Sequence, residues 1–459
     1  MKWLWKGLLG VGGCVLVSCA SANMLVSAKP LVWVQENQQS RLLLPEKEQL
    51  LILDQTMHGF TPVSSINTRD KGIVAMAMAR LGPVSKPVFV AERGILTLKN
   101  GIPEVLVAIE HLYQGLADYG LGTSMQHIEF VFELNGDGLS DFILPGFGTL
   151  KLALQKPGGQ FTIQELALSQ HRQLALLRNE SPSLTLSLPH GFTPLGADGG
   201  FLFAYGGQLW TLTAKANKDG QSWQVEPFPS VLDGPGKHNR FARLADMNGD
   251  GLTDLLVQVS AEGENDSKGL HLYLGQRDSL GQFGLAPKPG GAISAEGELV
   301  DFDLGDFNGD GKLDLYTLSA DLGIGSVLSV LGGSGMDMQI QIYLQGQQGQ
   351  FTPATSASQS TEFAFDTQNM HFGTRIVAAP FRDVGQADLL YLSDGQTLKL
   401  AHGDRKNGLR GKGQKVASSQ AKQGDWFVAL DADQDGVWEL YIKAYEDGRL
   451  QRLRQITSQ

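Results

Sequence analysis

Side-chain oxygens recur at alternate positions in the run Asp306-Phe307-Asn308-Gly309-Asp310-Gly311-Lys312-Leu313-Asp314. Gly311 supplies the positive φ that a tight loop needs, and Asp314 opens the apolar stretch Leu315-Tyr316-Thr317-Leu318. A hard cation taking about six to eight oxygen ligands suits this spacing. Short arms converge from Asp306, Asn308 and Asp310, the Lys312 carbonyl faces inward, and Asp314 returns from the far side. An EF-hand loop would place glutamate at its twelfth position. That position is Thr317, which excludes the EF-hand. The same nine-residue run occurs from Asp246 to Asp254, with variant copies from Glu133 to Asp141 and from Asp431 to Glu439. Turn chemistry alone explains scattered Asp, Asn and Gly, but not two matching nine-residue runs, each entering an apolar strand.

Other chemistry is thinly represented. The sequence contains no H-E-x-x-H, G-x-S-x-G, G-x-x-x-x-G-K-[ST] or G-x-G-x-x-G. The nine histidines are scattered. His271 and His402 fall in or beside expected strands, and His238 near Arg240 and Arg243 has no identifiable partner base or nucleophile. The clustered carboxylates are already accounted for by the loops that need them, so metal binding is preferred over paired-carboxylate catalysis.

The loops are landmarks of a longer repeat. Residues just before short apolar strands are Pro87, Asp141, Gly200, Asp254, Asp314, Asp388 and Glu439, separated by 54, 59, 54, 60, 74 and 51 residues. Each unit reads as a strand into the loop, a strand out of it, and an alternating third strand such as Leu150-Lys151-Leu152-Ala153-Leu154. A Gly-Gln-Phe follows at Gly159, Gly281 and Gly349, and then a fourth strand is expected. Four short antiparallel strands per unit make one blade of a β-propeller, and seven units are counted. Glu104 to Tyr119 has roughly helical apolar spacing, but the repeat register favours a strand at Val105 to Ile109.

The Asp-x-Asn-Gly-Asp-Gly-x-x-Asp-Leu loop, with its apolar strand and Gly-x-Phe, resembles the FG-GAP/VCBS repeats of integrin α chains and bacterial surface proteins. The resemblance runs from about Ile73 to the end of the chain. It implies an all-β, seven-bladed, integrin α-like propeller of four-stranded antiparallel blades. It also implies two to four structural Ca2+ sites. Matched ligands are Asp246, Asn248, Asp250, the Leu252 carbonyl and Asp254, then Asp306, Asn308, Asp310, the Lys312 carbonyl and Asp314. The variant loops would use Glu133, Asn135, Asp137, the Leu139 carbonyl and Asp141, and Asp431, Asp433, Asp435, the Val437 carbonyl and Glu439. Glu133 and Glu439 depart from the pattern and change the cage. The short loops of units one, three and six, at Leu81–Pro87, Ala197–Gly200 and Asp383–Asp388, are expected to hold no metal.

Residues 1–18 read as an export leader: Lys2 and Lys6 precede the apolar Leu8 to Val17, which is too short to span a bilayer. Leu16-Val17-Ser18-Cys19 resembles a bacterial lipobox, implying acylation of Cys19, a tether over 19–30 and a propeller over 31–459. Outer-membrane anchoring is the expectation; a soluble periplasmic protein cleaved after Ala22 is the alternative. Cys14 leaves with the leader, so the mature chain has no disulfide. The formal net charge of −11 becomes −13 without Lys2 and Lys6, and the four runs hold thirteen carboxylates. The remainder is near neutral, with no basic face for nucleic acid. Unit seven lacks residues for a fourth strand, and Leu50 to Leu53, within an N-terminal segment 31–54, is expected to supply it and close the ring. The basic loop Arg405 to Lys415 reads as a solvated hairpin. The insertion from Asp321 to Met338 is either a partner contact or an extra strand.

These features point to a non-enzymatic, calcium-binding envelope lipoprotein that binds a protein or a polysaccharide, or serves assembly. A polysaccharide lyase or hydrolase is the enzymatic alternative. The Cys19→Ser variant is expected to remain unprocessed or to become soluble. Mass analysis of the mature N-terminus checks this: an unlipidated parent chain beginning at Asn23 would refute the anchor.

Overall fold

The computed structural model describes residues 30–456 apart from 35–39, 47, 111, 113–127, 147, 169–172, 176–182, 186–187, 197–198, 206–207, 218–219, 230–238, 260–268, 295–296, 321–335, 355–358, 364, 367–370, 373–375, 394–395 and 420–425. Cys19, its leader and tether, His238 and most of the 321–338 insertion therefore lie outside the described residues. The described part is all-β, with one short 3₁₀ turn at Gln347–Gly349.

Antiparallel four-stranded sheets follow one another along the chain. Unit one comprises Ile73–Leu81, Val84–Ala91, Gly94–Lys99 and Ile102–Ala108, paired in that order. The last strand makes the first part of the ambiguous segment, as far as Ala108, β structure; residues 113–119 lie outside the described residues. Unit two comprises Val131–Phe132, Asp141–Pro145, Thr149–Gln155 and Phe161–Ala167; unit three comprises His190–Pro194, Phe201–Tyr205, Gln208–Asn217 and Gly220–Pro227. Units four, five and six have first strands Asn239–Ala245, Glu298–Gly305 and Ile376–Ala379, and second strands Asp254–Val259, Asp314–Ala320 and Asp388–Leu392.

Second strands such as Asp141–Pro145, Asp314–Ala320 and Asp388–Leu392 are buried along their whole length. They read as continuous apolar runs because a neighbouring sheet covers each face. Third strands alternate, as in Thr149–Gln155, and fourth strands are largely exposed, with Ile102, Val105 and Ile163 in solvent. The fourth strands therefore form the rim.

Two Gly-x-Phe expectations hold and one is corrected. Phe161 and Phe351 open fourth strands, but Phe283 begins Phe283–Leu285, which pairs with Gly275–Arg277 in a separate hairpin. The fourth strand of unit four is Gly291–Ile293. Unit six likewise inserts a hairpin, Gly403–Asp404 with Gly408–Leu409, before its fourth strand Gln414–Ser418. In unit five Met336–Met338 simply extends the third strand, Met336–Gln345, which Gln359–Phe363 also joins.

The ends of the chain meet differently from the expectation. Leu50 to Leu53 is not the outer strand of unit seven. It lies in Gln49–Thr56, between Ser40–Glu46 and Gly59–Asn67, with Leu31–Val34 beyond. These strands form a four-stranded N-terminal unit, whose apolar runs had seemed to belong to no sheet of their own. Among the described residues its last strand pairs with the third strand of unit seven (Phe427–Leu430, Glu439–Glu446, Arg449–Ile456), with Gly59 opposite Arg454 and Phe60 opposite Leu453. The sequence misled here because this unit has no acidic loop to mark it.

Apolar clusters lie between consecutive units. Val90 and Ile95 of unit one meet Phe142 and Leu144 of unit two; Leu318 and Ile340 of unit five meet Leu389 and Tyr391 of unit six. The N-terminal unit is covered on both faces. Trp33, Leu50 and Ile52 pack on Ile73 and Phe89 of unit one, while Leu42, Leu53 and Phe60 pack on Val428, Tyr441 and Leu453 of unit seven. Glu46 reinforces the second seam, accepting from Lys443 Nζ and Tyr445 Oη, each at 2.8 Å.

Gly59 tests that seam. It has φ +134°, and a side chain there would fall on the Leu453 carbonyl oxygen. Gly59→Ala is expected to lower stability by about 2 kcal/mol or more, whereas Gly284→Ala, in open space, should be nearly silent. Urea melts compare them; equal midpoints would mean the seam does not hold the two ends together.

Candidate metal centres

Each acidic loop joins the first strand of its unit to the second. Its shape follows from two left-handed positions, the fourth and sixth residues. These are Gly136 and Gly138, Gly249 and Gly251, and Gly309 and Gly311; in unit seven they are Gln434 and Gly436. The turn presents backbone N–H groups to the first carboxylate. Gly249 N donates to Asp246 Oδ1 at 2.8 Å and Gly251 N to Oδ2 at 2.8 Å. Gly309 N and Gly311 N do the same for Asp306, at 2.6 and 2.8 Å. The third residue accepts from the fifth, as Asn248 Oδ1 does from Asp250 N at 2.9 Å, and the fifth accepts from the seventh.

A carboxylate has about four acceptor directions, so these oxygens keep lone pairs for a cation after the loop N–H groups are served. Asp431, Asp433 and Glu439 bring one oxygen each within 4.8 Å of one another. That donor set is hard and anionic and fits Ca2+. This is one of the two loops whose glutamate departs from the sequence pattern; the longer arm of Glu439 brings an oxygen to the cluster. In unit five, Lys312 Nζ lies 3.6 Å from Asp310 Oδ2 and competes with a cation there. Asn248 Nδ2 donates to Asp250 Oδ2 at 2.9 Å in unit four.

The ninth residue has another job. Asp254 is fully buried, with Oδ2 accepting from Met247 N at 2.9 Å and Oδ1 from Gly275 N at 2.7 Å. Asp141 does the same with Leu134 N and Gln155 N, and Asp314 with Phe307 N and Gln345 N. Each carboxylate thus pins the start of its loop to the end of the third strand. Asp388 repeats the arrangement, with Phe381 N at 3.3 Å and Gly403 N at 2.7 Å, in a loop without the acidic positions. His402 Nδ1 also lies 3.4 Å from Asp388 Oδ1. Sequence reasoning passed over Asp388; its signal was an Asp retained before an apolar strand after the rest of the motif had gone.

The loops are also joined to one another. Ser140 N donates to Arg80 O at 3.1 Å, Leu313 N to Met247 O at 2.8 Å, Ala387 N to Asp306 O at 2.7 Å and Trp438 N to Pro380 O at 2.6 Å. Thr253 Oγ1 donates to Pro194 O, and Gln434 Nε2 to Val32 O at 3.3 Å. The residue before the pin thereby ties its loop to the preceding unit.

Residues 246–317 match the FG-GAP-like repeat family model. No curated protein matches the chain. Among solved structures, an Agrocybe aegerita lectin described in specific recognition of non-reducing terminal N-acetylglucosamine is similar in fold. It shares 12% identity over 86% of this chain and 96% of its own, with a TM-score of 0.50. The β-propeller domain of Vanderwaltozyma polyspora Nup133 aligns over 93% of this chain and 100% of its own, at 8% identity and a TM-score of 0.41. The four-stranded sheets packed face to face in chain order, together with the FG-GAP-like repeat, make this a β-propeller repeat protein.

Burial pushes the carboxylates of Asp141, Asp254 and Asp314 upward. Desolvation raises Asp314 to about 7 and Asp141 and Asp254 to about 6; the backbone N–H groups pull the other way, and neighbouring acids add to the rise. Since the native values exceed the unfolded ones, the native state holds protons more tightly. That contribution is complete in acid and is lost as pH rises through about 6 to 7. In chelator, the protein is expected to lose stability between about pH 5 and pH 7.5, with a smaller loss in Asp314→Asn. Melting curves across that range check it; identical slopes would contradict the assignment. Asp388→Ala should destabilise by about 2 kcal/mol, leaving two buried donors unpaired, equally with calcium and with chelator.

Proposed function

We propose that the chain is a non-enzymatic, calcium-stabilised β-propeller that presents a rigid recognition surface to a protein or glycan in the bacterial envelope. The observation carrying this reading is the set of acidic loops at equivalent places in successive units. Each places the hard oxygen donors of its first, third and fifth residues on a turn already shaped by backbone hydrogen bonds. Ca2+ bound there would neutralise carboxylates that otherwise repel one another, and so stiffen the junction of first and second strands.

In this reading the ring closes as eight blades in place of the seven expected. The N-terminal unit is interposed between units seven and one, and the clusters on its two faces support that closure. Units two, four, five and seven hold the Ca2+ sites, with units four and five supplying the regular motif. Lipidation at Cys19 places the propeller at the outer membrane. The A. aegerita lectin shows that a similar fold can read a sugar terminus, and glycan is carried here as one of two partner classes.

Metal that binds only the native state raises stability by mass action. Excess Ca2+ should therefore raise the melting temperature above that in chelator, and Asp250→Ala combined with Asp310→Ala should remove most of the difference. Equal melting temperatures, with no calcium retained on equilibrium dialysis, would sink the calcium reading.

A further inference from the structure

The first strands of the units differ sharply in character. Leu31–Val34, Ile73–Leu81, Val131–Phe132, Ile376–Ala379 and Phe427–Leu430 hold one ionisable residue between them, Arg80, at a loop end. Units three, four and five instead place His190, Arg243, Asp301 and Asp303 on theirs. With exposed fourth strands at the rim, first strands face the axis, where a closed ring leaves a channel. The three strands are adjacent. Thr193 Oγ1 donates to Leu244 O at 3.0 Å between units three and four, and Arg243 reaches Asp303 between units four and five.

The side chains are held but not saturated. Arg243 Nε lies 3.9 Å from Asp303 Oδ1, beyond a close hydrogen bond, and the two side chains are 41% and 57% exposed. The Arg243 guanidinium stands over the Phe302 ring, 5.4 Å from its centroid, which fixes its position. Asp301 and Asp303 accept from the backbone N–H groups of Phe302 and Leu304, so their arms are oriented too. His190 Nδ1 is 2.9 Å from the Leu188 carbonyl. A carbonyl only accepts, so Nδ1 carries the hydrogen and Nε2 is left as an acceptor. Burial, which lowers the pKa of this imidazole, keeps it neutral.

We propose that this arc of the axial channel is a recognition subsite for the uncharged terminus of a saccharide. Hydroxyl groups both donate and accept, matching the donors of Arg243 and the acceptors of Asp301, Asp303 and His190. The arc sets two carboxyl groups against one guanidinium, so it disfavours an anionic ligand. The inference rests on the closed ring and on the glycan arm of the function proposed above.

Saturation-transfer NMR on the calcium-loaded mature protein tests it, with N-acetylglucosamine and galactose as neutral probes and glucuronic acid as the charged one. Neutral sugars should bind and glucuronic acid bind more weakly. Arg243→Ala and the isosteric Asp303→Asn should each weaken binding on the order of tenfold without shifting the melting temperature, and rim variant Glu104→Ala should be unchanged. Undiminished binding in both channel variants, or preference for a charged sugar, would overturn the subsite while leaving glycan binding standing. No neutral-sugar binding by the parent would overturn the subsite and the glycan arm together; the calcium dependence of melting is read separately.

Discussion

A carboxylate withdrawn from water destabilises the fold by several kcal/mol unless donors surround it. In units two, four, five and six the donors are backbone N–H groups from the start of the loop and from the end of the third strand or just beyond it. Removing the carboxylate takes away the acceptor those N–H groups share. The side chain and the backbone groups therefore depend on one another, which sets the height at which the second strand leaves the loop. Unit seven reaches the same result with the longer Glu439, whose Oε2 accepts from Ala432 N at 2.8 Å. The loop acids nearer its start then sit in a frame that exists independently of them.

The sequence was legible where one residue carries one constraint. Alternation in Leu150 to Leu154 and the apolar run after Asp314 both became strands of the expected face pattern, because a strand side chain has only two directions to choose from. Oxygen spacing at Asp246 to Asp254 announced the loop, since its two glycines and its acids serve the same turn. Asp388 was illegible as a structural residue because its partners, Phe381 and Gly403, contribute backbone groups that no residue type reveals. The N-terminal unit was illegible for a related reason. Leu31–Val34 and Gln49–Thr56 are ordinary apolar strands, and only packing shows that they separate unit seven from unit one instead of completing it. Gly-Gln-Phe at Gly281 failed because a short turn before a strand serves equally for a hairpin inserted ahead of the blade edge.

Charge within the loops is organised before any cation arrives. Backbone N–H groups converge on Asp246 and Asp306 in the manner of an anion-binding nest, so the first acid of each run is partly compensated by peptide dipoles. Lys312 adds a point charge beside Asp310, where unit four has Leu252. The two regular motifs, nearly identical in sequence, are thus electrostatically different: unit five carries part of its own neutralisation through Lys312, and unit four has Leu252 at that position.

The bonds between loops decide how far such local differences spread. Leu313 N reaches Met247 O, and Ala387 N reaches Asp306 O. The acceptors are residues one and two of the neighbouring loop, beside its first cation ligand or identical with it. Ordering the loop of unit four therefore fixes an acceptor for unit five, and ordering unit five fixes one for unit six. Unit six has no acidic cluster of its own, yet its loop is held by Asp388 from within and by Asp306 from the preceding unit. This explains how a unit can lack an acidic loop and still be tied to the unit before it. Each such unit is braced by neighbours on both sides, as expected where single repeats contribute through their interfaces. Under the proposed function, calcium at a few loops would stiffen a belt of loops rather than isolated points.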